Sequence, residues 1–402
     1  MALILMVIHG TDGDVLPFVR VGRALRGRGH DVTVLTHAYY RGAVHRAGLD
    51  FVPVDTVAEY ERYLADAAGQ FDETDISEFR RHFDRTGLFD QFLLECREML
   101  RLHRPHQTVL VGAPISGQSV LTAAEALDAP AVCLAASPFQ LMALPGVAGI
   151  YREVLADGVD TARAGIGLGP VTDWPAWMSS ARQYVGLWPA WFDAAGPPAP
   201  AGTDLAGFVL ADEDTSGDIP PAARELLSGD VAPVLVTGGT GRLLQRRFYR
   251  TAVDAIRSLG RPALLAVRHG DLVPDPLPPD VHRFVKLPFR AVMPRVAAVV
   301  HHGGIGTLGR ALAAGTPQVA MAAGLDRPDN ARRLAAYGVG RWLPEGEWTP
   351  EAVAAAIRAA IDDRPPVVPD PLAATSVERA ADAVESVLPD LTRRPETPLS
   401  RS

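Results

Sequence analysis

AVVHHGGIGTLGRALAAGTP, residues 298–317, joins an apolar run to two histidines, a glycine-rich turn and a helical pattern. The run VAAVV (296–300) reads as a buried strand, and GTLGRALAAG (306–315) continues as a helix. Gly303, Gly304 and Gly306 let the backbone approach a ligand closely. The first amides of a helix have no partners within it and point outward. Together with the helix dipole they form an anion site, to which Thr307 adds a hydroxyl and His302 a further donor. A pyrophosphate is the guest this pattern predicts. The alternative is a glycine turn chosen only for tight packing.

The surrounding sequence repeats the alternation of strand and helix. ALILMVI (2–8), DVTVLTH (31–37), TVLVGA (108–113) and PAVCLAA (130–136) read as strands, with a helical period over 16–30 and another in GQSVLTAAEALD. A second series begins with APVLVTGG (232–239) and continues through PALLAV (262–267), VAAVV and QVAMA (318–322). Between the two lies DAAGPPAPAGTD (193–204), rich in Pro, Gly and Ala, which reads as a linker. The expectation is an α/β chain of two Rossmann-like parallel-sheet domains, 1–204 and 205–402, facing across a cleft. The segment 376–388 is expected to be a terminal helix that can pack back on the first domain, and 390–402 to be disordered. Residues 56–104 interrupt the rhythm with Tyr60, Tyr63, Phe71, Phe79, Phe83, Phe89 and Phe92. They form either amphipathic helices covering the domain or an apolar acceptor cleft.

Composition narrows the function. The chain has 402 residues, 48% of them hydrophobic, and a formal charge of -8. That charge gives no broad attraction to nucleic acid or to an anionic membrane. The two cysteines, Cys96 and Cys133, form neither a metal-site spacing nor a disulfide framework. No apolar run approaches the roughly 20 residues of a membrane span. The N-terminus lacks a basic leader and reads better as a first strand than as a signal peptide. A cytoplasmic protein is expected.

The turn lacks the Gly-Lys-Ser/Thr ending of a P-loop, which argues against ATP or GTP hydrolysis. Gly304, Gly306 and Gly309 match G-x-G-x-x-G by letters, with Asp326 20 residues beyond Gly306. A dinucleotide oxidoreductase is therefore a rival. Against it, the presumed strand ends near Ala322, which leaves Asp326 in a loop, and the match comes behind a whole α/β domain.

VVHHGGIGTLGRALAAGTPQVAMAAGLDRPDNARRLAAYGVG (299–340) resembles the donor-binding signature of family 1 glycosyltransferases, with HHGGxGT, ALxxGxP and DQxxNA elements. The bacterial natural-product and sterol branches are the most similar. GTDGDVLPFVRVGRALRGRGHDVTVLT (10–36) resembles the GDVxP opening of the same family. The resemblance implies the GT-B fold, a nucleoside diphosphate sugar (UDP- or dTDP-linked) as co-substrate, no further cofactor or metal, and a small apolar acceptor. Monomer and homodimer both stay open.

Carried over by position, the resemblance implies that His302 and the amides Gly303–Thr307 hold the donor diphosphate. Thr240, in VTGGTG, matches a Ser/Thr that faces the diphosphate or the donor sugar; capping of its own turn is the alternative. His301 is expected to be buried against the sheet. Asp326 matches the acid that binds donor sugar hydroxyls. Arg327 replaces the usual Gln, so the sugar contact must differ; an ion pair with Asp326 or Asp329 is the alternative. In VKLPFRAVMP (285–294), Lys286 stands where an aromatic would stack on the base, leaving backbone near Leu287 to read it. Asp14 matches the catalytic base, with helix capping as the alternative and His9 and Asp12 as fallbacks. A catalytically silent partner of another transferase and a sugar-nucleotide epimerase are further alternatives.

Overall fold

The computed structural model describes residues 1–67, 76–210, 217–242, 246–363 and 375–388. It contains two parallel sheets. The first has strands β1 (Leu3–Val7), β2 (Asp31–Thr36), β3 (Asp50–Pro53), β4 (Thr108–Gly112), β5 (Ala131–Ala135), β6 (Gln183–Gly186) and β7 (Thr203–Leu205), in the order β3-β2-β1-β4-β5-β6-β7. The second has β8 (Val234–Thr237), β9 (Ala263–Ala266), β10 (Val281–Phe284), β11 (Ala298–His301), β12 (Gln318–Ala322) and β13 (Arg341–Pro344), in the order β10-β9-β8-β11-β12-β13.

Central strands are apolar throughout because helices cover both faces. In β1, Ile4 and Met6 pack with Val15, Phe18 and Val21 of the helix Asp12–Gly27, whereas Leu3, Leu5 and Val7 join Cys96 and Met99 of the helix Leu88–Leu102. In the second sheet, Val234 and Val236 face Phe248 and Ala252 of the helix Arg246–Ser258. The strands that sequence reading omits are β3, β6, β7, β10 and β13. All are outer or edge strands of three or four residues, with incomplete burial and no continuous apolar run to announce them.

The stretch 193–204 is not a free connector. It leads into β7, which pairs with β6 through Tyr184↔Thr203, so the chain leaves the first sheet only after Leu205. The helix Ser376–Glu385 rests on the first domain, where Ala380, Ala381 and Val384 enter the cluster around Ile4 and Phe18. Arg28 holds it through Asp382 and Glu385, each at 2.7 Å. Residues 390–402 and Phe71 lie outside the described residues.

Each sheet order places a topological switch point, between β1 and β4 in the first sheet and between β8 and β11 in the second. Chain connections diverge there and open a crevice beyond the carboxyl ends of the strands.

Candidate active site

Both crevices carry the residues singled out by sequence. At the second switch point, His301 ends β11 and is fully buried. Its Nε2 lies 3.0 Å from Gln318 Oε1, and its Nδ1 accepts from Gly303 N at 3.1 Å. Burial lowers its pKa to about 4. The ring is therefore neutral and shapes the turn. Gly304 is the N-cap of the helix Ile305–Ala314 and offers no side chain to the first-turn amides. Those amides, with Gly306 exposed and Thr307 half-buried, open toward the cleft.

His302 lies across this turn. A Cβ at Gly304 would stand 2.4 Å from His302 Nε2, and one at Gly239 would stand 2.9 Å from it. The imidazole is thus sandwiched between the β8 and β11 loops. Burial drives its pKa well below the ordinary value, and the charges of Arg327 and His301 push the same way. A neutral ring can still donate one hydrogen bond to a phosphate oxygen.

The next loop closes the turn from beside it. Asn330 is fully buried; its Nδ2 donates to Gly303 O at 3.1 Å and to Asp326 Oδ2 at 3.0 Å. Asp326 ends up as the N-cap position of the helix Arg327–Ala336, not at the tip of a strand where a ribose-binding acid sits. Of the alternative partners of Arg327, Asp329 pairs instead with Arg333 at 2.7 Å, and Asp326 acts on Arg327 as a nearby charge that favours the charged guanidinium. Lys286 and Leu287 follow the edge strand β10, three strands from β11, or about 14 Å at the usual strand spacing. Lys286 is exposed, whereas Leu287 buries its side chain with Leu264 and Val292, so only its backbone can face a ligand.

The first-domain crevice faces this one. Asp12 N donates to Thr240 Oγ1 at 3.2 Å across the cleft. The Thr240 hydroxyl therefore ties the domains together. Arg268, after β9, lies 4.4 Å above the Tyr39 ring and pairs with Glu61. A pocket lined by Gly13, Pro17 and Phe208 on one side and Ile305 and Gly306 on the other runs between the domains.

Asp14 follows Gly13 in sequence and lines a second pocket, formed within the first domain. The helix begins at Asp12, four residues earlier than the sequence period suggests, with Thr11 as N-cap. Asp14 is consequently the third helical residue and forms a capping box: Thr11 N donates to Asp14 Oδ2 at 2.9 Å. Capping and chemistry are thus compatible here, because only one oxygen is engaged by Thr11. Burial raises its pKa to about 6; the Thr11 hydrogen bond opposes this, Asp326 adds to it and Arg327 subtracts. That two second-domain residues bias Asp14 shows how near the domains approach.

His9 lines that second pocket with Asp14, Phe18, Ile115, Ala136 and Gln140. Sequence reading gives no hint of what holds it. Its Nε2 lies 2.5 Å from Glu95 Oε1, and the other Glu95 oxygen accepts from Ser119 Oγ at 2.6 Å. Burial alone would lower the His9 pKa, but the charge and hydrogen bond of Glu95, helped by Asp55, raise it. His9 Nδ1 is buried without a partner. His37, edge-on at 5.1 Å and fixed by Asp55 at 2.6 Å, braces the ring. Asp12 is already engaged, accepting from Tyr40 OH at 3.1 Å. No local motif could have revealed Glu95, 86 residues from His9.

Comparison with known proteins fits this geometry. Residues 4–132 match the glycosyltransferase family 28 N-terminal domain, and residues 263–389 match the erythromycin biosynthesis protein CIII-like C-terminal domain. The chain has the GT-B glycosyltransferase fold. This GT-B chain is 30% identical over 234 residues to glycosyltransferase GtfE of Amycolatopsis orientalis, covering 56% of itself and 54% of that protein. It is 36% identical over 146 residues to O-mycaminosyltylonolide 6-deoxyallosyltransferase of Streptomyces fradiae, covering 36% of itself and 34% of that protein. It thus spans about half or less of the length of these curated relatives. Among solved structures, the calicheamicin glycosyltransferase CalG4 superposes with a TM-score of 0.66 at 20% identity, covering 98% of this chain and 100% of that one. Glycosyltransferase VinC in complex with DTDP gives 0.62 at 18% identity, covering 97% and 96%. At these identities the structural likeness establishes the GT-B fold. Among the described residues, no helix is long and apolar enough to cross a membrane, and no group of three His, Cys, Asp or Glu side chains is placed to hold a metal ion.

Proposed function

We propose that this chain is an inverting glycosyltransferase. It moves a sugar from a UDP- or dTDP-linked donor to a hydroxyl of a small, largely apolar natural product. The observation that carries this reading is the opposition of the two helix starts across one cleft, each at the switch point of its own sheet: Gly13 and Pro17, beside Asp14, share a pocket with Ile305 and Gly306. The relatives' names point to antibiotic acceptors, and the VinC complex to a nucleoside diphosphate at this fold's cleft.

The acceptor oxygen attacks the anomeric carbon while its proton passes to the Asp14 carboxylate. The carbon–oxygen bond to the phosphate breaks, and its electron pair leaves with the nucleoside diphosphate. The helix amides and His302 meet the charge that develops there, without a metal ion. The experiment is a calorimetric screen of UDP- and dTDP-sugars, followed by turnover assays in excess chelator with product stereochemistry read by NMR. Loss of turnover restored by Mg²⁺, or retention at the anomeric centre, overturns this mechanism.

The His9–Glu95 geometry supports a second reading of the base. A ring that lines the pocket and is oriented by a buried carboxylate, with its other nitrogen unpaired, is a general-base arrangement in its own right.

A further inference from the structure

Arg327 poses an electrostatic problem that the donor site can solve. Its side chain is nine-tenths buried, at 9% exposure, on the first residue of the helix Arg327–Ala336. A guanidinium in a protein stays charged. Yet among the described residues its one hydrogen bond is a long contact of 3.4 Å from Nη1 to Ala323 O. Among the same residues no carboxylate lies within ion-pair distance: Asp329 is taken by Arg333, Asp326 accepts from Asn330, and Asp326 and Asp14 act on the guanidinium only as nearby charges. Other arginines of the cleft are paired, Arg242 with Asp271 at 2.5 Å and Arg268 with Glu61. A buried charge without a counter-ion is strongly unfavourable unless something else neutralises it.

Its position says what that is. The Arg327 backbone is pressed against the glycine turn, so that a Cβ at Gly303 would stand 2.9 Å from Arg327 O and 3.3 Å from Arg327 Cβ. Its charge is felt at His302, at Asp14 and at Tyr249 beyond the β8 loop. Of these, His302 belongs to the turn that the reading above assigns to the donor diphosphate. The other donors there are neutral: His301, His302 and backbone amides can hydrogen-bond but carry no full charge. The neighbouring Asp14 and Asp326 are acids. A neutral sugar hydroxyl cannot balance a guanidinium, whereas a phosphate that gains charge on leaving can.

We propose that Arg327 binds the β-phosphate of the nucleoside diphosphate and stabilises it as a leaving group, at a position where the family resemblance implies a sugar contact. This inference rests on the glycosyltransferase reading above.

The test is calorimetry on the full chain with paired nucleoside mono- and diphosphates, UMP against UDP and dTMP against dTDP. In the native chain the diphosphate should bind more tightly. Arg327→Gln should reduce that preference at least tenfold and leave monophosphate affinity unchanged, and Arg327→Lys should restore part of it. A thermal melt confirms that each variant is folded; if Arg327→Gln is not, Arg327→Lys and Arg327→Met carry the comparison. An unchanged diphosphate preference in the folded variants overturns the proposal. So does a variant that changes only the choice between neutral and carboxylated nucleotide sugars, which would assign Arg327 to the sugar. Absence of nucleotide binding in the native chain overturns the underlying reading and the proposal with it.

Discussion

His302 Nε2 occupies the space beside Gly239, 2.9 Å from where a Cβ on that glycine would stand. Gly239 also has a φ of +78°, a conformation that disfavours any side chain. Gly239→Ala should therefore act as a His302 variant at a distance. It should weaken diphosphate affinity roughly as His302→Ala does, by on the order of tenfold, the scale of one charge-assisted hydrogen bond. Calorimetry with UDP and dTDP checks this. Unchanged affinity in both variants would make the histidine a packing residue.

Asp14 is expected to show its environment in two ways. With a pKa of about 6, its ionised, proton-accepting form is lost as pH falls through 6, so kcat/KM should fall on the acid side with that midpoint. Asp14→Asn should lower kcat by at least a hundredfold and leave donor affinity nearly intact. The stability effect has the opposite sign. A carboxyl whose folded pKa lies above its unfolded value of 3.8 destabilises the fold increasingly as pH rises from 3.8 to 6, and fully above that. Asp14→Asn should raise the melting temperature at pH 8 and do less at pH 5. The gain is about 3 kcal/mol at most, the free-energy equivalent of a pKa raised from 3.8 to about 6, and the Asn oxygen keeps the capping bond from Thr11.

An acid limb in the pH profile does not by itself distinguish Asp14 from His9, because either group must lose its proton before it can accept one. The Glu95→Gln variant does. Glu95 raises the His9 pKa, so their pairing stabilises the fold below the ordinary histidine value of 6.5 and that contribution is lost as pH rises through the raised pKa. Glu95→Gln should therefore cost more melting temperature at pH 6 than at pH 8. If Asp14 is the base, the variant keeps most of its turnover and its acid limb stays near 6. A large loss of turnover with a displaced limb would transfer the role to His9.

What the sequence revealed and what it hid have separate physical causes. The His302 turn was legible because its chemistry is local: strand, glycines and helix start are contiguous. Asp14 was legible for the same reason. Thr240 was found, but not its grip on Asp12, since the cleft brings together loops 228 residues apart. Glu95, Ser119, His37 and Asp55 were invisible because a buried ion pair leaves no periodicity. The edge strands were missed because their residues face water on one side or end.

Arg333 tests how the two halves are joined. It is fully buried, and its guanidinium reaches from the second domain into the stretch 193–204. Nη1 donates to Asp193 O at 2.7 Å and Phe192 O at 3.2 Å, Nη2 to Pro197 O at 2.5 Å, and Nε to Asp329 Oδ2 at 2.7 Å. The Pro/Gly/Ala composition that resembles a flexible linker is thus a strap whose carbonyls are satisfied by one side chain. A Cβ at Gly196 would lie 2.8 Å from Arg333 Cζ, so any side chain there must displace the guanidinium. Arg333→Met removes the cation and leaves Asp329 buried without its partner, together with three unpaired carbonyls. The cost should be about 3–5 kcal/mol, the usual penalty for breaking a buried pair from one side. Replacing both partners, Arg333→Met with Asp329→Leu, should recover part of it, because the orphaned charge is gone. Urea unfolding of the two variants measures the difference. If the single variant loses less than 1 kcal/mol, the strap is held by its own packing and not by Arg333.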